Sequence, residues 1–187
     1  MLPLPSIETK RLLLRLPLPD DAEPFVEIHQ DPEVLARKQV TLTSPPGGIE
    51  VGLRNVDRML RHWDRRGYGQ WAVVEKATAR VIGCVGFLQP DDWPGIDLGW
   101  IIRRSRWGNG FATEAARAAI DWAWSGDTIE HILSLIGPDN AASIRVATKV
   151  GEQLEGEGLS PFSGEKVLIY GIRRPAERAG PQAQGGS

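Results

Sequence analysis

The sequence predicts a single domain of mixed α/β or α+β class with a largely antiparallel sheet. Its 187 residues, of which 41% are hydrophobic and 25% charged, suit one globular domain with a core of its own. Apolar spacing switches between the period of a strand and that of a helix several times along the chain. Three strand-like segments between residues 70 and 103 follow one another without a helix between them, which is the pattern of an antiparallel meander.

Before this meander the pattern predicts one strand, a short helical segment, a further turn or helix, a loop and a long helix. In chain order they occupy residues 11–16, 20–29, 31–33, 44–48 and 49–66. Asp20 or Asp21 is expected to cap the first helical segment, because a short carboxylate side chain accepts hydrogen bonds from free helix amides. The long helix is expected to end at Gly67. Its expected apolar stripe consists of Leu53, Val56, Leu60 and Trp63.

From the meander onward the pattern predicts three strands, a helix, a strand, a second helix and a last strand. They occupy residues 70–75, 81–88, 97–103, 112–124, 131–136, 140–150 and 166–173. Asn140 is expected to cap the second of these helices and Gly151 to end it. The domain is expected to span residues 7–174. Residues 175–187, which are rich in Pro, Gly, Gln and Ala, are expected to form a disordered tail.

The composition argues against several classes of partner. The formal net charge is −2 with both signs spread along the chain, so there is no electrostatic case for nucleic acid. No apolar run approaches the ~20 residues that cross a bilayer, and the first residues lack the features of a signal peptide. The histidines and acids show no metal-ligand spacing. The single cysteine, Cys84, fits a buried packing thiol in a cytoplasmic protein.

Residues 97–114 carry the clearest chemical signal. An apolar strand runs into a basic turn, then into Gly108-Asn109-Gly110, then into an alanine-rich helix. Glycines allow the backbone to approach an anion, and the free amides and dipole of a helix N-terminus attract negative charge. This pattern favours a phosphorylated cofactor, with a tight strand-to-helix connection as the simpler alternative. A P-loop lysine and the third glycine of a dinucleotide-binding loop are both missing.

A second segment, residues 137–151, follows a strand and forms a helix. Each of its residues also has a purely structural explanation. Asn140 serves as a cap and Ser143 as a small first-turn residue, while the apolar positions belong to the core.

Together the two segments resemble a known family. The motifs Gly108-x-Gly110-Phe-Ala-Thr-Glu-Ala and Asn140-x-x-Ser-Ile-Arg-Val-x-x-Lys-x-Gly, in this order, resemble the GNAT superfamily of acetyl-CoA-dependent N-acetyltransferases. The run Ile-Glu-Thr-Lys-Arg-Leu-Leu-Leu-Arg at residues 7–15 resembles its RimJ/RimL branch, which acetylates the N-termini of ribosomal proteins. The resemblance covers residues 7–173. It implies a central, mostly antiparallel sheet whose middle strands are splayed, with helices on both faces.

The resemblance also implies roles for the residues of both segments. The amides around Gly108-Asn109-Gly110, called the glycine turn here, would hold the pyrophosphate of coenzyme A. The strand before it would pair with the pantetheine arm. One strand amide could polarise the thioester carbonyl. Arg103, Arg104 and Arg106 could attract phosphates, and the alternative is that they are solvated charges at the exit of the strand. The expected cofactor-binding residues are Trp100, Ile101, Ile102, Arg103, Arg106, Trp107, Gly108, Asn109, Gly110, Phe111, Ala112, Thr113, Asn140 and Ser143.

Departures from the family pattern affect the expected catalytic residues. Many members carry a tyrosine general acid seven residues after the asparagine, and this position is Ala147. A serine at the position of Ser143 is proposed to protonate the leaving thiolate in the RimL branch, so Ser143 is the candidate acid. Asp97 is the candidate base, acting through water; the alternative is a surface strand residue. Glu152 replaces a common phenylalanine and is expected to affect packing.

The resemblance implies direct acetyl transfer from acetyl-CoA to a primary amine, without a covalent enzyme intermediate. A protein N-terminal amine is the leading acceptor, because a pKa of ~8 leaves it partly neutral at pH 7, whereas a lysine amine has ~10.4. Small amines such as antibiotics, polyamines or amino acids are alternative acceptors. A non-catalytic acyl-CoA sensor and a nucleotide-binding regulator are alternative functions. The protein is expected to be a monomer or homodimer without membrane or nucleic-acid partners.

Overall fold

The computed structural model describes residues 5–37, 48–89, 93, 95–126, 128–160 and 163–175, and in them it shows eight strands and five helices. The strands are β1 (Ile7–Glu8), β2 (Leu12–Arg15), β3 (Gln70–Glu75), β4 (Arg80–Leu88), β5 (Ile96–Ile102), β6 (His131–Ile136), β7 (Gln153–Leu159) and β8 (Lys166–Arg173). The helices are α1 (Ala22–Gln30), α2 (Pro32–Leu35), α3 (Ile49–Arg66), α4 (Phe111–Ser125) and α5 (Ala141–Val150).

All eight strands belong to one sheet with the order β1-β2-β3-β4-β5-β6-β8-β7. Every neighbouring pair is antiparallel except β5 and β6, which confirms the predicted fold class. The parallel pair is registered only at Ile96↔Ile132 and Asp97↔Leu133. Beyond Asp97 the two strands separate, so the middle of the sheet is splayed as the family resemblance implies.

Helices cover both faces of the sheet, and β5 contributes side chains to each face. Leu98 and Ile102 pack in the cluster that contains the alanines of α4. Ile101 packs against the other cluster, which contains Phe25 of α1 and Val56 of α3. Because side chains alternate along a strand, Asp97 and Gly99 lie on the face of α1 and α3.

Elements with strong local signals have the predicted bounds. These are α3, β3, β6 and β8. Gly67 ends α3 in the left-handed conformation, with φ of 73°, and donates its amide to the Trp63 carbonyl. Gly151 ends α5 in the same way, with φ of 100°. Cys84 is buried, as expected of a packing thiol.

Two strands were not predicted. β1 has two residues, too few for a period to be recognised. β7 is an edge strand with most of its residues exposed, and two glycines and two glutamates interrupt any apolar alternation. Its pairing with β8 supplies the structure that its own pattern does not indicate.

Two details of the helices correct the prediction. The Asp21 side chain does not cap α1. Instead, it accepts hydrogen bonds from both terminal nitrogens of Arg15, at 2.6 and 2.8 Å, and from the Leu18 amide. In α3, Val56 and Trp63 are buried, whereas Leu53 remains 42% exposed, so the apolar stripe is shorter than expected.

Two other predictions concern parts outside the described residues. They are most of the loop at 44–48 and nearly all of the tail at 175–187. Among the described residues, no helix has the length and apolar character that a membrane span requires. These residues also contain no cluster of three or more His, Cys, Asp or Glu side chains arranged to hold a metal ion.

Candidate active site

A cavity of about 380 Å³ lies where the end of β5, the glycine turn, α4 and α5 meet. α2 and the residues after it complete its wall. The lining residues are Val34, Arg37, Trp100, Ile101, Ile102, Arg106, Trp107, Gly108, Gly110, Phe111, Ala112, Thr113, Ala142, Arg145, Val146 and Lys149. Ten of the fourteen residues predicted to bind cofactor are therefore brought together around one cavity.

The glycine turn leaves the N-terminus of α4 without a cap. Gly108 and Gly110 both have φ of 77°, a conformation that favours glycine, and Gly110 is the N-cap residue. Because it has no side chain, the first-turn amides of Phe111, Ala112 and Thr113 have no acceptor among the described residues. This end of α4 can therefore accept a ligand anion.

The N-terminus of α5 is satisfied by its own cap. Asn140 Oδ1 accepts the Ser143 amide at 3.1 Å, and Asn140 Nδ2 donates to the Arg37 carbonyl at 3.0 Å. Asn140 and Ser143 are outside the cavity lining, in which α5 is represented by Ala142 and residues further along the helix. Asn140 therefore connects α5 to the segment after α2 rather than lining the cavity.

The side chains that give the cavity exposed positive charge are not the arginines that the sequence indicates. Arg103 donates to Glu27 at 2.8 Å, and Arg106 donates to Glu75 at 3.0 Å, so carboxylates compete with any phosphate for both guanidinium groups. Exposed positive charge comes instead from Arg37, Arg145 and Lys149, all of which line the cavity. The Arg37 guanidinium lies 4.0 Å from the centre of the Trp107 ring.

Helical spacing could have indicated part of this cationic wall. Ala142, Arg145, Val146 and Lys149 are three and four residues apart, so they share one face of α5. Arg37 carries no such signal, because its position beside the cavity depends on contacts between distant segments.

β5 and β6 separate beyond Asp97, and the gap between them is called the splay here. The edge of β5 that faces the splay offers free backbone groups. Arg103 donates its amide to the Ile82 carbonyl at 2.7 Å, so the alternation of hydrogen bonds turns the backbone groups of Ile101 toward β4. Those of Trp100 and Ile102 turn toward the splay.

Side chains occupy part of this edge. The Ile102 carbonyl accepts Trp107 Nε1 at 2.6 Å. Both polar groups of Trp100 and the Ile102 amide have no partner among the described residues. An extended chain with amide groups, such as a pantetheine arm, can pair with them as an added strand would.

Asp97 lies at the point where β5 and β6 separate. Its Oδ1 accepts the Leu135 amide at 2.9 Å, in the place that a strand carbonyl would otherwise occupy. Asp97 is 5% exposed, so the alternative of a surface strand residue is wrong. A Cβ added to Gly99 would lie 3.8 Å from Asp97 Oδ2 and meet no other described atom within 4 Å, which leaves room beside the carboxyl group. Burial raises the Asp97 pKa to about 7, against the opposing effect of the Leu135 amide.

A second buried acid lies close by. Ser134 Oγ is 2.8 Å from Glu152 Oε1 and 2.9 Å from the Leu98 carbonyl. The hydroxyl has one hydrogen and the carbonyl can only accept, so both contacts are favourable only if Ser134 donates to Leu98 and a protonated Glu152 donates to Ser134. Burial above all, with smaller contributions from the nearby Asp97 and Glu155, raises the Glu152 pKa to about 8 against the opposing effect of the Ser134 hydrogen bond.

Glu152 and Ser134 were not recognised as candidate site residues. Position 152 was expected to affect packing more than chemistry. The available signal was an acid directly after the glycine that ends a helix, at a position where the family commonly has phenylalanine. Ser134, within an apolar strand, had no comparable signal.

Comparison with known proteins identifies the family. A family profile described as "Acetyltransferase (GNAT) domain" matches residues 11–153. The chain belongs to the GNAT acetyltransferase family. Its curated relatives include proteins from Bacillus species. The uncharacterized protein YkkB of Bacillus subtilis (strain 168) is 32% identical over 142 residues, which are 71% of this chain and 75% of that protein.

A second curated relative is named as an N-acetyltransferase, and a solved acetyltransferase structure has the same fold. The uncharacterized N-acetyltransferase p20 of Bacillus licheniformis is 29% identical over 153 residues, which are 81% of this chain and 84% of that protein. The crystal structure of an acetyltransferase from Agrobacterium tumefaciens str. C58 superimposes with a TM-score of 0.77 at 25% identity, covering 92% of this chain and 96% of the other. The protein is thus a GNAT acetyltransferase.

The geometry of this GNAT domain fits acetyl-CoA, the cofactor of the family. The uncapped helix end suits a pyrophosphate, and the free edge of β5 suits the pantetheine arm. At the position of the family's tyrosine, Ala147 is fully buried and provides no hydroxyl. Ser143 is half-buried on α5 and is the hydroxyl that the sequence indicates as a proton donor.

Proposed function

We propose that this GNAT protein transfers an acetyl group from acetyl-CoA directly to a protein N-terminal α-amine, as members of the RimJ/RimL-like branch do. The observation that carries the proposal is the position of Asp97 at the splay. The cavity is formed largely by α4 and α5, whereas the Asp97 carboxyl group lies on the face of α1 and α3. A donor bound in the cavity and an amine arriving from the opposite face would meet between the separated strands.

The protein's part in donor binding follows from the groups on the cavity wall. The amides of the first turn of α4 bind the pyrophosphate, with Arg37, Arg145 and Lys149 adding positive charge. The backbone of Trp100 aligns the pantetheine arm. Bound in this way, acetyl-CoA supplies an activated acyl group, and fixing both reactants in one geometry accounts for a large part of the rate enhancement.

The acid–base chemistry favours an α-amine over a lysine side chain. The Asp97 carboxyl group, with a pKa of about 7, is close to the ~8 of an α-amine. A base of this strength removes a proton from an α-amine efficiently, whereas a lysine amine at ~10.4 is a much poorer match. The space beside Gly99 gives the amine, or one intervening water, access to Asp97 Oδ2.

The proton balance assigns one role to each candidate. Asp97 accepts the proton that the attacking nitrogen loses as the new C–N bond forms. Ser143 donates a proton to the sulfur as the C–S bond breaks, and the proton taken up by Asp97 returns to Ser143 through solvent, so both residues regain their starting states. Substitution Ser143→Ala is expected to lower kcat about 100-fold or more, the lower end of the range for general acid catalysis, and to change coenzyme A affinity much less. Unchanged kcat in steady-state kinetics would exclude Ser143 as the acid.

Thiol release from acetyl-CoA across an acceptor panel tests the proposed function. We expect turnover with peptides that have a free α-amine and no lysine, and none with N-acetylated peptides whose only amine is lysine. Turnover confined to polyamines, amino acids or aminoglycosides would replace the proposed acceptor with a small molecule. Thermal stabilisation by coenzyme A without turnover on any acceptor would instead indicate a sensor. Stabilisation by ATP or NAD but not by coenzyme A would overturn the cofactor assignment.

A further inference from the structure

Arg11 holds the glycine turn from outside the cavity. The residue directly precedes β2, nearly a hundred positions from the turn, and its Nη1 donates to the Asn109 carbonyl at 2.9 Å. Its guanidinium carbon also lies 4.4 Å from the centre of the Phe111 ring, in the first turn of α4. Arg11 is absent from the cavity lining.

The hydrogen bond to Asn109 determines the direction of a neighbouring amide. The Asn109 carbonyl and the Gly110 amide belong to one trans peptide, in which C=O and N–H point in opposite directions. With the carbonyl directed at Arg11, the Gly110 N–H points away from Arg11. Gly110 lines the cavity and begins α4, so this amide belongs to the group of donors left open for an anion. With glycine on both sides of Asn109, the local chain has little intrinsic preference for this orientation.

Glu114 fixes Arg11 in turn. Its carboxylate accepts hydrogen bonds from Arg11 Nε at 2.7 Å and from the Arg11 amide at 2.9 Å, and Arg11 Nη2 forms an ion pair with it at 2.7 Å. Thr9 Oγ1 donates to the same carboxylate at 2.6 Å. Partial burial alone would raise the Glu114 pKa, but the hydrogen bonds from Thr9 and Arg11 outweigh it and keep the pKa below its usual value. The Arg11 charge is thereby balanced by Glu114 and is not presented to a phosphate.

We propose that Arg11, oriented by Glu114, is a positioning residue that holds the Asn109–Gly110 peptide with its amide toward the coenzyme A pyrophosphate. This inference rests on the proposed function, since it assumes that the turn binds that pyrophosphate. It gives the N-terminal segment a part in cofactor affinity although the segment contributes nothing to the cavity wall.

The test compares Arg11→Gln and Arg11→Lys with Arg15→Lys in the full-length protein. Arg15 is a matched control, because it is also held by a carboxylate, Asp21, in the same part of the chain but lies outside the cavity lining. Coenzyme A affinity is measured by calorimetry, unfolding by thermal denaturation, and kcat and KM with the best acceptor of the panel.

Arg11→Gln is expected to weaken coenzyme A binding about 10- to 100-fold, as when a charge-assisted hydrogen bond is lost. KM for acetyl-CoA should rise with it, while kcat and the acceptor's KM stay within about twofold. Arg11→Lys should lie between this variant and the natural protein. Arg15→Lys should lower the unfolding temperature without changing coenzyme A affinity.

Three results would count against the inference or its premise. A folded Arg11→Gln variant with unchanged coenzyme A affinity would overturn the positioning role. Equal losses of affinity in Arg11→Gln and Arg15→Lys would show general loosening of the fold and would also overturn it. Failure of the natural protein to bind coenzyme A would instead refute the proposed function, so the two failures are distinguishable.

Discussion

Two regions at opposite ends of β5 contribute to the site through different physical effects. After its C-terminal end, the glycine turn and the first turn of α4 present backbone amides beside exposed cations. Near its N-terminal end, Asp97 and Glu152 are buried where the strands separate. Exposed charges act by attraction, which salt screens. Buried carboxyl groups act through their protonation state, which burial controls. The turn should therefore respond to ionic strength and the splay to pH.

The largest expected effect comes from Asp97→Asn at the splay. Asparagine keeps an oxygen that can accept the Leu135 amide but cannot take a proton from the amine. We expect kcat to fall about 10²- to 10⁴-fold, the range for loss of a general base, with coenzyme A affinity unchanged. Steady-state kinetics and calorimetry check both parts. A kcat within a fewfold of the natural protein would rule out Asp97 as the base.

At the turn, Thr113→Glu should fill the anion site from within the chain. Thr113 is the third residue of α4, and glutamate at that position can reach back to the free N-cap amide of Gly110. The helix should keep its stability, while coenzyme A binding weakens about tenfold or more through charge repulsion and competition. Thr113→Gln, which has the same shape without the charge, is the matched control. Equal affinity in the two variants would contradict an anion site at this helix end.

The splay should make stability depend on pH. The folded-state pKa values of Asp97 and Glu152, about 7 and about 8, lie above their ordinary values of 3.8 and 4.5. The folded protein therefore binds more protons than the unfolded chain, and the free energy of unfolding falls as pH rises from about 4 to about 8. Glu152→Gln, which can still donate to Ser134, should reduce this fall. Urea unfolding between pH 5 and pH 9 measures it, and an unchanged slope would contradict a protonated Glu152.

The smallest expected effect belongs to an exposed cation beside the turn. Arg145→Gln should weaken coenzyme A binding about two- to fivefold at low salt, since exposed charge pairs contribute ~0.2–1 kcal/mol. The difference from the natural protein should disappear near 1 M salt, where the screening length is ~3 Å. Calorimetry at two salt concentrations tests this. A difference that persists at high salt would indicate a direct hydrogen bond.

Local signals in the sequence predicted much of the fold and the turn. The bounds of α3 and β3 followed from apolar period and a glycine stop, and the turn before α4 followed from two glycines that precede a helix. β7 was missed because an exposed edge strand needs no apolar alternation when its partner supplies the hydrogen bonds. The assignment of phosphate-binding cations to Arg103 and Arg106 did not foresee that each is paired with a distant carboxylate.

The sequence by itself determined where the helices and most of the strands form and where a glycine turn precedes a helix, because those features depend on residues a few positions apart. The tertiary structure alone decided the protonation of Asp97 and Glu152 and the orientation of the Asn109–Gly110 peptide. Leu135 is 38 positions from Asp97, and Asn109 is 98 positions from Arg11. Burial and hydrogen bonding between such distant residues exist only after the chain has folded, and they set both the pKa of Asp97 and the direction of the Gly110 amide.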